Sequence, residues 1–161
     1  MKTYPSEDIR NFAIVGHASS GKTMLAECIE AATGAINRLG SIEAGSTMSD
    51  YHDAEKERQI SINATPLCVE HADKKLNFID TPGYLDFLSE ALGALRVCDA
   101  ALVTVNAANG VEVGTTKVWE WSRELGVPHL VVVNCLDKEH VSFDTALASL
   151  RENFGNKVMP L

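Results

Sequence analysis

One segment near the start of the chain has the residue types of a phosphate-binding loop. Residues 16–23 read Gly-His-Ala-Ser-Ser-Gly-Lys-Thr and match the pattern G-x-x-x-x-G-K-[ST]. Glycines let the backbone N–H groups point at phosphate oxygens, and the positive end of the following helix faces the same anion. Lys22 is expected to reach the β- and γ-phosphates, and the Thr23 hydroxyl to bind Mg²⁺. The nucleotide contacts predicted in this loop are His17, Ala18, Ser19, Ser20, Gly21, Lys22 and Thr23.

The context of this loop favours phosphate binding over its alternative, an ordinary strand–turn–helix with a surface lysine. A predicted buried strand at Ile9–Val15 precedes the loop, and a helical pattern over Lys22–Thr33 follows it. That arrangement is the one in which the pattern binds nucleotides. For His17, packing beside the loop is the alternative to a phosphate contact.

A second polar segment, Asp80-Thr81-Pro82-Gly83, follows a predicted strand at Lys75–Ile79. An aspartate at the end of such a strand can hold Mg²⁺, usually through water. Gly83 has no side chain, so its backbone N–H can come close to a γ-phosphate. A plain tight turn is the alternative, because proline and glycine favour turns.

A third segment, Asn134-Cys135-Leu136-Asp137, follows a predicted strand at His129–Val133. The carboxylate of Asp137 can accept hydrogen bonds from both N–H groups on the guanine edge, a pair that adenine lacks. This residue therefore predicts selection of GTP over ATP, and Asn134 is expected to brace neighbouring loops. A surface turn is the alternative, and the order of the three segments argues against it.

The elements that must position these segments alternate between buried strands and amphipathic helices. This alternation predicts an α/β fold of the P-loop NTPase type, a mostly parallel central sheet with helices on both faces. Besides the strands above, the pattern predicts strands at Ser61–Glu70 and Ala100–Val105. A further helix is predicted after Gly83, with Leu85, Leu88, Leu92 and Leu95 on one face. Two more are predicted at Thr115–Leu125 and from Phe143 to Gly155, and an extended run is predicted from Lys157.

The stretch Leu39–Ile60 is polar and has no clean period. It is long for a loop without secondary structure, and such loops are usually functional or mobile. We therefore expect it to be poorly ordered until a ligand holds it.

Composition and charge exclude several classes of protein. The 161 residues indicate one domain, with 45% apolar and 22% charged residues, as in an average globular protein. The net charge of −8 argues against a free-standing nucleic-acid binder. The four cysteines are widely spaced, so zinc and disulfides are not expected, and a cytoplasmic location fits. No apolar run is long enough for a signal peptide or a membrane span.

With the three segments in this order, the chain resembles the GTP-binding domain of translational GTPases, most closely that of the elongation factor G family. Residues 58–62 read Arg-Gln-Ile-Ser-Ile, where the family has Arg-Gly-Ile-Thr-Ile at the end of its first switch. Residues 80–87 read Asp-Thr-Pro-Gly-Tyr-Leu-Asp-Phe, where the family has Asp-Thr-Pro-Gly-His-Val-Asp-Phe. The resemblance implies that Ser61 is a Mg²⁺ ligand together with Thr23 and Asp80.

The chain departs from the family pattern at five functional positions. The family's catalytic histidine is Tyr84, and its base-stacking lysine is Cys135. Ser19 occupies the position of a family aspartate, and Gln59 occupies that of a family glycine. Met24 occupies the position of a family threonine that contacts the α-phosphate. These differences resemble those of divergent elongation-factor-G-like paralogues. The resemblance adds Met24 and Cys135 to the nucleotide contacts and implies that Tyr84 is catalytic, beside Gly83 and Lys22.

The resemblance implies a ribosome-stimulated GTPase that binds GTP or GDP with Mg²⁺ and hydrolyses GTP slowly without the ribosome. The alternative is a GTP-binding regulatory module with little or no hydrolysis, because a phenol is a poor base near neutral pH. We expect residues 1–161 to be the G domain of a longer factor, ending before the family's G-prime insertion and last base-recognition motif. The expected partner is the ribosome, with rRNA contacted mostly by other domains; no membrane or DNA partner is expected, and the fragment is expected to be monomeric.

Overall fold

The protein is described by a computed structural model that covers residues 2–161. Its centre is a five-stranded sheet with the strand order β2-β3-β1-β4-β5. Only β2 is antiparallel to its neighbour, so the sheet is mostly parallel, as predicted. The strands are β1 (Ile9–Gly16), β2 (Thr65–His71), β3 (Lys74–Asp80), β4 (Ala100–Asn106) and β5 (His129–Asn134).

The described part of the chain has five α-helices, which are α1 (Lys22–Ala32), α2 (Asp53–Arg58), α3 (Leu88–Leu95), α4 (Val113–Glu124) and α5 (Phe143–Phe154). Of these, α1 packs on one face of the sheet and α3, α4 and α5 pack on the other, which confirms the predicted fold class. Short 3₁₀ turns lie at Ser6–Asp8 and Leu85–Phe87. Within residues 2–161, none of these helices has the length and apolar character needed to cross a membrane.

The alternating side chains of β1 divide the core into two layers. Ala13 and Val15 are fully buried against α3, α4 and α5, whereas Ile14 is buried against α1 on the opposite face. A strand segment buried on both faces needs an apolar run, which residues 12–15 of β1 provide. Burial therefore holds this strand in the middle of the sheet, with the loop that follows it at the strand's carboxyl end.

The parallel strands bring their carboxyl ends to one edge of the sheet. In the register of the ladder, Ile14 of β1 lies beside Asp80 of β3, and Asn106 of β4 lies beside Asn134 of β5. Ligands of open α/β sheets bind outside the carboxyl ends of the strands. The fold therefore places all three polar segments of the sequence at the edge where a ligand is expected.

Some local predictions differ from the structure. The strand predicted from Ser61 begins at Thr65, because the preceding residues are held by the carboxylate of Glu55 instead of by a neighbouring strand. Leu85 lies in a 3₁₀ turn and is exposed, so the buried face of α3 begins at Leu88. The polar stretch contains the helix α2, which is short and polar and therefore has no detectable apolar period. The run predicted from Lys157 forms no regular strand up to residue 161.

Candidate nucleotide-binding site

The loop between β1 and α1 has the backbone conformation of a phosphate cradle. Ser19 and Gly21 have left-handed backbones, with φ of 58° and 84°. Lys22 is buried, and its ammonium donates a 2.8 Å hydrogen bond to the carbonyl of His17 at the other end of the loop. The side chain therefore folds back over the loop, where it can reach an anion held by the backbone N–H groups.

Two asparagines from neighbouring strands brace this loop. The Asn134 amide donates to the carbonyl of Ser20 at 3.0 Å, as the sequence predicted for a bracing residue. A Cβ on Gly21 would lie 2.3 Å from the same amide nitrogen, so the close approach requires glycine. Asn106 donates to the carbonyl of Ser19 at 3.1 Å and was missed by the sequence analysis. Asn106 ends β4, and it reaches the phosphate loop because β4 lies next to β1.

The three predicted magnesium ligands lie together beneath the loop. The Thr23 hydroxyl donates to Asp80 Oδ2 at 2.8 Å and lies 3.2 Å from the hydroxyl oxygen of Ser61. The other carboxylate oxygen, Asp80 Oδ1, is buried and has no hydrogen-bond partner among the described residues. Hard oxygen donors of this kind are the ligands that Mg²⁺ prefers. The residues present therefore fit a magnesium ion.

The charges in this region are buried at a cost that a ligand would offset. Burial lowers the pKa of Lys22 to about 8, although the nearby carboxylates of Asp80 and Asp50 oppose this shift. Burial raises the pKa of Asp80 to about 6 and also raises the pKa of Asp50. Buried groups with shifted pKa values in a cleft are typical of functional sites. Asp50 was missed because nothing distinguishes it within its polar stretch.

Gly83 lies directly against the phosphate loop. A Cβ at this position would lie 2.3 Å from the Lys22 ammonium and 2.6 Å from the backbone nitrogen of Ala18. Only glycine allows this approach, so the Gly83 N–H can face the same ligand as Lys22. The next residue, Tyr84, is 45% exposed and lines a cavity of about 270 Å³ beside Lys22 and Gly83. Tyr84 thus borders the predicted phosphate site on its solvent side.

The predicted base-binding residues follow β5. Cys135 is half-buried and has a left-handed backbone with φ of 61°, and Asp137 is exposed in the turn beyond it. The backbone turns immediately after Asn134, the last residue of β5. The Asn134 side chain, which braces the phosphate loop, therefore lies only three residues before the carboxylate of Asp137. The assignment of Asp137 and Cys135 to a guanine base stays a prediction.

The side chain of His17 packs beside the loop. Its Nδ1 accepts a 3.2 Å hydrogen bond from the N–H of Gly114 at the start of α4, and its Nε2 lies 3.5 Å from Glu112. This contact corresponds to the packing alternative of the sequence analysis. Met24 is half-buried in the first turn of α1, and its contact with nucleotide stays a prediction.

Two buried glutamates anchor the polar stretch that precedes β2. Glu27 of α1 accepts hydrogen bonds from the backbone N–H groups of Gly40, at 2.9 Å, and Met48. Glu55 of α2 accepts from the N–H groups of Ile62 and Asn63, at 3.0 and 2.9 Å. Sequence reasoning missed both, because a glutamate in a helix is normally solvated. Glu27 thus holds the first half of the stretch, and Glu55 holds the residues that directly follow Ser61.

A larger cavity, of about 530 Å³, lies between β5 and α5. It contains none of the residues that the sequence singled out for phosphate, metal or base. The smaller cavity at the phosphate loop contains Lys22, Thr23, Ser61, Gly83 and Tyr84. Because the smaller cavity is lined by the residues predicted to bind phosphate and metal, it is the candidate site.

Comparison with known proteins agrees with this geometry. Residues 7–160 match the family described as Elongation factor Tu GTP binding domain. The chain is 37% identical over 152 residues to Elongation factor G 2 of Streptomyces coelicolor, covering 94% of this chain and 22% of that protein. A crystal structure of a Thermus thermophilus protein superposes with a TM-score of 0.87 at 40% identity, covering 91% of this chain and 22% of that one.

The chain thus spans about a fifth of the length of the relatives that it matches. The family match extends over nearly all of its residues and includes the phosphate loop, the Asp80 segment and the Asn134 segment. The chain belongs to the family of elongation factor Tu GTP-binding domains, and within it resembles elongation factor G.

Proposed function

We propose that this chain is the GTP-binding and hydrolysing domain of an elongation-factor-G-like translation factor. In this proposal it is a magnesium-dependent switch that works on the ribosome. The observation that supports it best is the meeting of Thr23, Ser61 and Asp80 beneath a loop that also holds the buried Lys22. Oxygen donors and an ammonium side by side suit a metal-bound triphosphate.

Each residue of the site has a defined part in this proposal. Lys22 neutralises the β- and γ-phosphates, and Gly83 directs its N–H at the γ-phosphate. Thr23, Ser61 and Asp80 hold Mg²⁺, which would neutralise charge on the phosphate oxygens when bound. Glu55 holds the residues that follow Ser61. Binding of Ser61 to the metal would add a second anchor, present only with a triphosphate.

Base selection is assigned to the turn after β5. Asp137 accepts two hydrogen bonds from guanine, and Cys135 supplies a small apolar contact to the purine face in place of a lysine stem. Cys135 offers less surface, so we expect a modest affinity for guanine nucleotides.

The site is proposed to be part of a longer cytoplasmic protein. Because the matched relatives are several times longer, ribosome binding is assigned mainly to domains outside residues 1–161. No membrane or DNA partner is proposed, and the 161-residue piece is expected to be monomeric.

A second candidate function is a GTP-binding module with little or no hydrolysis. Tyr84 favours it, because a phenol cannot act as an acid–base group near neutral pH as a histidine can. The exposed position of Tyr84 at the edge of the cavity leaves its hydroxyl free to contact water, which favours slow hydrolysis over none.

The deciding experiment measures phosphate release from GTP and from ATP by the full-length protein, with and without ribosomes. We expect ribosome-stimulated release from GTP only. Lys22→Ala should lower the affinity for triphosphate by about 10²-fold, because a buried charge partner is lost. Lys117→Ala is the matched control, since Lys117 is exposed and pairs with Glu120 on the surface of α4.

Two results would contradict the proposal. Equal affinity for GTP and ATP would remove the guanine assignment. Tight GTP binding without any phosphate release on ribosomes would leave the second candidate, the binding module, as the function.

A further inference from the structure

Gln59 has an unusual backbone conformation at the end of α2. Its φ of 55° and ψ of 37° are left-handed, and its N–H donates to the carbonyl of Glu55. The residue that ends a helix in this way is usually glycine, sometimes asparagine, because a Cβ is disfavoured there. A strained residue that the surrounding structure holds in place is a reason to look for a function.

Gln59 borders the cavity at the phosphate loop. The same cavity is lined by Lys22, Ser61, Gly83 and Tyr84, and Gln59 itself is exposed. Lys22 and Gly83 mark the position of the terminal phosphate in the proposed function. Gln59 therefore lines the proposed phosphate cavity from the polar stretch, and Tyr84 lines it from the segment after β3.

The chemistry of an amide suits this position. Of the residues described as lining the cavity, Gln59 alone has a side-chain amide. An amide has both donors and an acceptor, so it can fix a water molecule in one orientation without becoming charged. A glutamine orients the attacking water in other P-loop GTPases. Tyr84 offers only one hydroxyl, and the Ser61 hydroxyl is engaged beside Thr23.

We propose that Gln59 positions the water that attacks the γ-phosphate. The water oxygen forms a bond to the γ-phosphorus, the bond from this phosphorus to the bridging oxygen breaks, and GDP leaves with the electron pair. The water proton goes to a phosphate oxygen, so Gln59 neither gains nor loses a proton. This proposal rests on the proposed function, since it assumes that GTP is hydrolysed at this site.

Two variants of the full-length protein separate the role of the amide from the effect of the backbone. Gln59→Gly and Gln59→Asn both accept a left-handed backbone more readily than glutamine, so neither should lower the thermal midpoint. The first removes the amide, and the second withdraws it by one methylene. We expect kcat for ribosome-stimulated GTP hydrolysis to fall by roughly 10²-fold in Gln59→Gly and by less in Gln59→Asn. The affinity for a non-hydrolysable GTP analogue should not change in either.

Glu57→Gln is the control, because Glu57 is exposed on the same helix and does not line the cavity. It should leave kcat and the thermal midpoint unchanged. If Gln59→Gly has the kcat of the wild type, Gln59 is only structural and the proposal is overturned, while GTP hydrolysis by the site still stands. If the wild type releases no phosphate from GTP on ribosomes, both this proposal and the proposed function are rejected.

Discussion

The Thr23 hydroxyl donates a 2.8 Å hydrogen bond to the carboxylate of Asp80, although the two residues lie 57 positions apart in the chain. One belongs to the first turn of α1 and the other to the last position of β3. The second oxygen of Asp80 is buried with no partner among the described residues. An unsatisfied buried carboxylate oxygen is costly, and this orphaned oxygen is the reason to test the proposed cation site at this pair.

Replacing this carboxylate should therefore weaken metal-dependent nucleotide binding. In Asp80→Asn, the amide is a poorer ligand for Mg²⁺ or for its bound water. We expect affinity for GTP in the presence of Mg²⁺ to fall by roughly 10–100-fold, with no further loss when EDTA is added. Titration calorimetry with and without Mg²⁺ measures this. Asp86→Asn is the control, because Asp86 is exposed nearby; an equal loss in both variants would argue against a metal role.

Asp137 is expected to decide which base is bound. In Asp137→Asn, an acceptor of the carboxylate becomes a donor, so guanine loses a hydrogen bond and xanthine gains one. We expect GTP affinity to fall by about 10²-fold, as for the loss of hydrogen bonds to a charged group, and xanthosine triphosphate to bind better. Competition binding measures both, with Asp144→Asn on the exposed side of α5 as control. Unchanged GTP affinity would disprove the assignment of Asp137 to the base.

Glu55 is expected to hold the polar stretch in place. Burial raises its pKa, but the N–H donors of Asn63, Ile62 and His52 lower it more, so the pKa lies below the usual 4.5. A depressed carboxyl pKa contributes stability above about pH 4.5, and that contribution is lost as the pH falls through the folded-state pKa. Glu55→Gln should therefore lower the free energy of unfolding at pH 7 by about 1–3 kcal/mol, and by less near pH 4.

Hydrogen exchange tests where Glu55 acts. In Glu55→Gln, residues 39–63 should lose protection while β1 and β4 keep theirs, and Glu57→Gln should match the wild type. In the wild type, GTP should protect Leu39–Ile60 more than GDP does, because Ser61 is held through metal and the γ-phosphate. Equal protection with GDP and with a GTP analogue would count against a switch in this stretch.

The sequence predicted the sheet and the phosphate loop because each rests on local patterns. The apolar runs of β1 and β4 identify buried strands, and the loop of residues 16–23 is defined by residue types at fixed spacing. The three magnesium ligands were predicted in two ways: Thr23 and Asp80 from the residues themselves, and Ser61 only from a family resemblance. The structure brings the three side chains into contact, and their binding of Mg²⁺ stays a prediction.

What the sequence did not predict depends on long-range contacts. Glu27, Glu55 and Asp50 look like solvated charges in the sequence, and burial becomes evident only when the polar stretch folds over α1. The helix α2 is too short and too polar to have an apolar face. Asn106 required knowledge of the strand order, since it braces Ser19 only because β4 lies next to β1.

Tyr84 is expected to limit the rate of hydrolysis. It lies at the edge of the cavity with 45% of its surface exposed, so its hydroxyl can orient a water molecule as donor or acceptor. It has no positive charge at neutral pH and cannot stabilise the charge that develops on the γ-phosphoryl group. Loss of one such contact typically costs about 10²–10³-fold in rate.

In the full-length protein on ribosomes, Tyr84→His should therefore raise kcat for GTP hydrolysis, and Tyr84→Phe should lower it if the hydroxyl orients water. The isolated 161-residue chain should hydrolyse GTP very slowly with any of the three residues, because nothing positions the side chain. If phosphate release on ribosomes is the same for all three, Tyr84 is only structural, and slow hydrolysis must be traced to Ser61 or Ser19.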